Sequence, residues 1–160
     1  MTQPAASRND PLTTFCFRVK FEGGPMSGSD LFFKSVGGLK YESEVVEYKE
    51  GGRNVTARRL VGPGKYPNLV LKKGFTGPPM IQLLAWRRMW LIDDPGVPLV
   101  RASGVVIQLN SKLESVCGWK FHNGWPCKWE GPDYDASKAE LAIETLEIAH
   151  EGLEFLPTGA

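Results

Sequence analysis

Histidine is almost missing from this sequence: 160 residues contain two, His122 and His150. Neither has a cysteine or a second histidine at ligand spacing, so no metal site is expected and both are read as structural or surface side chains. Cysteine is scarce and odd in number. Cys16, Cys117 and Cys127 show no CxxC spacing, which favours reduced thiols over a disulfide framework. No apolar run reaches the roughly 18 residues of a membrane-spanning helix. The polar start MTQPAASRND lacks the apolar stretch of a signal peptide, so conventional secretion is not expected. An excess of one charge is absent as well. Lys and Arg number 19 against 18 Asp and Glu, interspersed, which gives no electrostatic case for nucleic acid or an anionic membrane. There are no internal repeats and no low-complexity tract.

Hydrophobic content of 42% and charged content of 23% fit a soluble globular chain with a real core, and the length suits one domain. The 18 glycines and 12 prolines punctuate short apolar runs, so the class is mainly β. Residues 1–13 read as a flexible arm, 14–156 as the domain and 157–160 as a tail. In TFCFRVKFE, Phe15, Phe17, Val19 and Phe21 share one face, the alternation of a half-buried strand. LFFKSVGGL reads as a second strand that breaks at Gly37-Gly38, GPGKYPN as a turn and LVLKKGF as another strand. SGVVIQLNSKLES and CGWKFHNG read as a strand pair, with GWPCKWEGPDYDAS irregular. The closing KAELAIETLEIAHEGLEFL carries a helical stripe of Ala142, Ile143, Leu146, Ala149 and Leu153.

One helix is expected, within PPMIQLLAWRRMWLIDDPG. Pro78-Pro79 suits a first turn and Asp94-Pro95-Gly96 supplies a stop. Apolar residues occupy most of its circumference, interrupted by Gln82, Arg87 and Arg88. Such a helix should be covered on more than one side. Another subunit is the natural second cover, with Trp86, Arg87 and Trp90 as contact residues.

Catalytic chemistry is hard to find. GPGKY at Gly62–Tyr66 superficially suggests a phosphate loop, yet Tyr66 stands where Ser or Thr should bind magnesium and Pro67 blocks the following helix. Asp93-Asp94 and Asp133/Asp135 lie in Pro/Gly-rich turns, where aspartate serves local hydrogen bonding. Asn54-Val55-Thr56 matches a glycosylation sequon, which means little without an export signal. Trp119, Trp125 and Trp129 could floor a ligand pocket or pack in a core or interface. No catalytic, cofactor or metal constellation emerges.

The unusual stretch is SEVVEYKEGGRNVTARRL, Ser43 to Leu60. A two-residue turn at Gly51-Gly52 would set Glu50 opposite Arg53, Tyr48 opposite Val55, Val46 opposite Ala57 and Glu44 opposite Arg59. That face is apolar in the middle with opposite charges at its ends; the other face is mostly polar. The ten residues from Tyr41 to Glu50 span about 33 Å as a strand, against a gyration radius of roughly 15 Å for a chain of this size. An isolated hairpin is marginal in water. The arm therefore needs a surface, either its own sheet or a neighbouring subunit.

FFKSVGGLKYESEVVEYKEGG, KYPNLVLKKGFTG and WPCKWEGPDYDASKAELAIETLEIAHEGLEF together resemble the tail tube proteins of contractile phages and of extracellular contractile injection systems. The likeness runs from Asp10 to about Phe155. It implies a compact β-barrel or sandwich-like protomer with a flanking helix, related to the type VI secretion tube protein, in which the last segment is strand despite its stripe. It also implies six-membered rings stacked into a tube inside a sheath, with no enzymatic role, and with the Tyr41–Leu60 hairpin at the ring-to-ring junction. Implied partners are other copies of the chain, sheath, baseplate and spike adaptors, tape-measure and terminator proteins and luminal protein cargo, with DNA only in a phage tail. Assembly would occur in the bacterial cytoplasm, in a particle released from the cell or anchored at a membrane. The alternatives are a phage tail tube, a tube-initiating baseplate ring and, from a different class, a monomeric ligand-binding β-barrel using the tryptophans.

Overall fold

The computed structural model describes residues 16–49, 51–52, 57–75, 81–91, 100–133, 137 and 141–157. The expected arm, Phe15, Asn54, Pro78-Pro79, Asp93 to Gly96, Asp135 and residues 158–160 lie outside the described residues. Ten strands and one helix follow in the order β1 (Cys16–Glu22), β2 (Asp30–Phe33), β3 (Ser35–Gly37), β4 (Glu42–Tyr48), β5 (Arg58–Lys65), β6 (Leu69–Gly74), α1 (Ile81–Leu91), β7 (Ala102–Leu109), β8 (Ser115–Glu130), β9 (Ile143–Ala149) and β10 (Gly152–Leu156). The chain is mainly β, and among the described residues one α-helix flanks the strands, besides a single 3-10 turn at Gly24–Met26.

Eight strands form one antiparallel sheet in the order β2-β1-β7-β8-β9-β6-β3, with β10 added on β8. Its two end strands are consecutive in sequence, separated only by Lys34, whose N–H donates to the Lys72 carbonyl at 2.8 Å. The expected second strand is thus two: Asp30–Phe33 pairs with β1 and Ser35–Gly37 pairs with β6. The sheet curls on itself without full closure, because β2 and β3 do not pair with each other.

The alternation read in β1 holds: Val19 and Phe21 point into the core and Phe17 packs against it. β9 alternates too, burying Glu144, Leu146 and Ile148, while Ile143 of the helical stripe is exposed. Two expectations need correction. Gly62–Lys65 are not a turn but the end of β5, so the turn shrinks to Tyr66–Asn68. Gly124–Glu130 are not irregular but the second half of the 16-residue β8. Local composition there opposes a strand, yet β9 and β10 lie along the same edge of β8, from Gly118 opposite Leu156 to Glu130 opposite Thr145. Pairing over that length outweighs Pro126, which lacks an N–H and sits where the ladder shifts register.

The core fills the inside of the curl. Phe21 meets Trp86 and Phe121 edge to face, with centroids 5.6 and 6.1 Å away. Phe121 lies over Gly104 and Gly124, where an added Cβ would approach its ring to 2.7 and 2.8 Å. The helix contributes Leu83 and Trp86 to this core, both buried.

Candidate functional site

Trp86 is fully buried within its own chain, so it is not free to cover a second copy as expected from sequence. Its Nε1 donates to the Val100 carbonyl at 3.1 Å, and Trp90 Nε1 donates to the same oxygen at 3.2 Å. Trp90 stacks on Trp125 at 5.2 Å, and the Arg87 guanidinium lies 4.6 Å from the Trp129 ring. The sheet therefore supplies much of the second cover that the helix needs. The same contacts divide the tryptophan cluster: Trp125 and Trp129 face the helix, while Trp119 packs on Phe155 at 4.9 Å. They do not floor a common pocket. Among the described residues no group of three or more His, Cys, Asp and Glu side chains could hold a metal ion, and no helix is long and apolar enough to cross a membrane. Cys16, Cys117 and Cys127 are free thiols, and burial raises that of Cys127 above its ordinary range.

The feature left without a structural partner is the hairpin. Among the described residues, β4 and β5 form a separate two-stranded sheet hydrogen-bonded to no other strand, and every residue of β4 is exposed. Its register differs from the one a two-residue turn would give. Tyr48 faces Arg58, Val46 faces Leu60 and Val45 faces Val61. The strands extend to Glu42 and Lys65, and nine residues of sequence, 49–57, separate Tyr48 from Arg58, the last described pair. Gly52 does adopt a positive φ of 102°. The pairings of Tyr48 with Val55, Val46 with Ala57 and Glu44 with Arg59 are therefore overturned. Ala57 is exposed in the connection, and Glu50, Arg53 and Val55 lie outside the described residues.

Charges follow the new register. Arg59 pairs with Glu47 at 3.4 Å and Glu44 with Lys65 at 3.8 Å. Near the root the ladder slips by one residue between Ser43 and Val45, where Gly62 and Pro63 together oppose Glu44. The close approach explains Gly62: a Cβ there would sit 2.7 Å from the Glu44 carbonyl oxygen.

The root itself is built carefully. Gly38 turns the chain into the hairpin with φ of 82°, and a Cβ there would run into the Asn68 carbonyl. Tyr41, entering the ribbon, contacts Tyr66, leaving it, with centroids 5.1 Å apart, and Tyr66 contacts the His150 ring at 5.5 Å. The His150 imidazole bridges two backbone segments: Nε2 lies 3.1 Å from the Pro67 carbonyl oxygen and Nδ1 3.0 Å from that of Gly152. Burial holds its pKa below the usual histidine value, outweighing the two carbonyl contacts that would raise it. Beside the root a groove of about 290 Å³ is lined by Leu39, Lys40, Tyr41, Tyr66, Trp119 and Leu153. Nothing in the sequence pattern pointed to His150 as the tie between root and sheet, because its partners are carbonyls brought together only by folding.

A long exposed ribbon on a curled antiparallel sheet agrees with the comparisons. The sequence-family model of the T4-like virus tail tube protein gp19 matches residues 13–154. The chain belongs to that family. Among solved structures, a protein of the anti-feeding prophage baseplate, determined with six-fold symmetry, is 26% identical over 98% of this chain and 97% of its own, with a TM-score of 0.72. A protein of the sheath–tube complex of the extracellular contractile injection system PVC, in its extended state, is 22% identical over 94% of both chains, with a TM-score of 0.74. Hcp1 of Flavobacterium johnsoniae is similar at a lower level, 17% identical over 88% of this chain and 94% of its own, with a TM-score of 0.50. A search of curated proteins finds no match. This tail tube family member thus has a fold shared with injection-system tubes.

Proposed function

We propose that the chain is the inner-tube subunit of a phage-tail-like contractile injection system. Copies close into rings, rings stack head to tail into a hollow tube, and a sheath surrounds it. The observation that carries this reading is the hairpin: a paired ribbon of seven- and eight-residue strands whose apolar side chains Val45, Val46, Tyr48, Leu60 and Val61 are exposed. A two-stranded ribbon is marginal alone, so its natural stabilising surface is a further copy, and head-to-tail contacts build closed rings and open stacks. Glu44, Val46, Tyr48, Ala57 and Arg59 are the described contact residues of the ring junction, and Glu50, Arg53 and Val55, outside the described residues, complete the proposed set. On the helix, Arg87 and Trp90 keep partial exposure for a neighbour in the ring.

The tube acts mechanically and has no active site. It encloses protein cargo and passes through a target membrane when the sheath contracts. Baseplate and spike adaptors, a terminator and a tape-measure protein complete the particle. It assembles in the bacterial cytoplasm and then is released or anchored at a membrane. The 26% identity to a baseplate protein favours one second reading, a ring that initiates the tube. Negative-stain microscopy of the purified protein tests both. Hollow tubes of indefinite length support the main-tube role, and single rings that lengthen only on added tube protein support the initiator. Monodisperse monomers at high concentration, with or without baseplate proteins, refute both.

A further inference from the structure

A ribbon lying on one surface should turn its polar side chains outward, because strand side chains alternate between faces. This hairpin does not. Val46, opposite Leu60, shares one face with Tyr48, while Val45, opposite Val61, lies on the other beside the Glu47–Arg59 pair. Val46, Tyr48 and Leu60 are 45%, 56% and 51% exposed on the first face, and Val45 and Val61 are 58% and 88% exposed on the second. Each face thus presents an apolar pair at mid-length, back to back with the other.

Resting on the tube reading above, we propose that the hairpin is a two-sided insert, each face covered by a different copy of this chain. One copy does not enclose it. Sheets pack about 10 Å apart, so a ribbon covered on both faces needs walls about 20 Å apart. The groove of about 290 Å³ at the root admits one or two side chains, not a ribbon. The rest of the exposed apolar surface matches two separate covers. Among the described residues, the large exposed apolar side chains outside the hairpin, Phe32 and Leu113 apart, fall into two patches. One joins Tyr41 and Phe155 to the root groove, through the contacts of Tyr41 with Tyr66 and of Phe155 with Trp119. The other is Phe75, Leu141 and Ile143, where the Phe75 N–H donates to the Ala142 carbonyl at 2.8 Å. The β6–β9 ladder separates them, running from Leu69 opposite Ile148 near the root to Gly74 opposite Ile143 at the far end. Patches at opposite ends of this ladder do not face each other across one ribbon within one copy, whereas two copies side by side in a head-to-tail array present one each.

The test compares two double variants of the full chain, V46T/L60T for the first face and V45T/V61T for the second. Threonine keeps the strand preference and removes apolar contact. Each variant is expected to lower the amount of sedimentable tube at least tenfold while its thermal melt stays that of the parent, since these positions support no core. If one face can be changed without loss of tubes, the hairpin lies on a single neighbour and the two-sided insert is wrong, while the tube reading stands. If neither change matters, the hairpin is not the connector, and both the insert and its role at the ring junction fail. Photocrosslinking of parent tubes decides the matter should a variant fray its ribbon. Probes at Leu60 and Val61 are expected to label different peptides, one containing Trp119 or Phe155 and the other Phe75 or Leu141. Labelling of one common peptide overturns the proposal.

Discussion

β7 and β4 each carry a Val-Val pair in an extended strand, with opposite fates: β7 (ASGVVIQL) has no charge, and β4 (ESEVVEY) sets three glutamates around its valines. β7 buries Val105, Val106 and Ile107 in succession, because the core covers one face and a small cluster with Cys16 and Leu156 covers the other. β4 holds Val45, Val46 and Tyr48 in the same extended form and leaves all of them exposed. Charge shows the same contrast. In the sheet, Lys73 and Glu144 form an ion pair at 3.4 Å with side chains 8% and 3% exposed, and Trp129 Nε1 donates to the same carboxylate at 3.4 Å. In the hairpin, Glu47–Arg59 and Glu44–Lys65 stand in solvent. The curled sheet is finished within one chain. The ribbon is not, and its stability belongs to the assembly.

If that division is right, changes in the sheet should act on the protomer and changes in the ribbon on the tube. The largest protomer effect is expected from Lys73→Met, which leaves the Glu144 carboxylate buried without its cation. Breaking one side of a buried pair costs about 3–5 kcal/mol. Urea unfolding of the soluble protomer should show it, and K73M/E144L should recover most of the loss, because both charges are then gone. A double variant no more stable than K73M would mean that the pair is not the relevant interaction. Next comes Gly38→Ala, at the join between the two regions. Its positive φ and the approach of the Asn68 carbonyl predict a loss of about 1–3 kcal/mol. Unchanged unfolding would show that the root relaxes and that the ribbon is loosely attached.

The sequence carried the curled sheet and the ribbon unequally. Strand alternation at Val19 and Phe21, the single helix and the existence of a hairpin around Gly51-Gly52 were all readable from spacing. The β9 strand was not, since Leu146 and Ala149 also fit a helical stripe, and only the family resemblance tipped the reading. The hairpin register differs from the one expected because the glycine pair invites a two-residue turn, whereas Tyr48 pairs with Arg58. That offset of three moved every partner and hid the second apolar face. Trp86 was misplaced for a different reason: a helix apolar all round announces two covers, not whose they are. The Lys73–Glu144 pair and the His150 bridge join residues far apart in sequence, so no local pattern contains them.

His150 sharpens the comparison at the root through pH. Burial lowers its pKa in the folded protomer below the usual 6.5. The unfolded chain therefore takes up the proton first, and stability should fall as pH drops below about 6.5, levelling off once the folded form is also protonated. Above that range the contribution is complete. Urea midpoints between pH 8 and 5 should slope in the parent and lie flatter in His150→Gln. Equal slopes would show that the fall comes from other groups. Glu151, the nearest carboxylate in sequence, has its own pKa lowered by Asn123 and Arg101, so its titration falls below this window.

The smallest effect on the protomer, and the sharpest on the distinction, is expected from the ribbon's charges. Glu47 and Arg59 are 54% and 75% exposed, and such a pair contributes at most about 1 kcal/mol. E47R and R59E should therefore leave the protomer's unfolding nearly unchanged. In a tube the same pair would lie beside the covered Val45 and Val61, where loss of water strengthens the interaction. Each single reversal should then reduce tube yield and E47R/R59E should restore part of it. Glu44 supplies the control, since its partner is Lys65. Reversing Glu44 together with Arg59 should add the two single effects without rescue. Rescue by that combination instead would mean that assembly shifts the strands into the register of a two-residue turn, and the ribbon would then be remade by the neighbours that cover it.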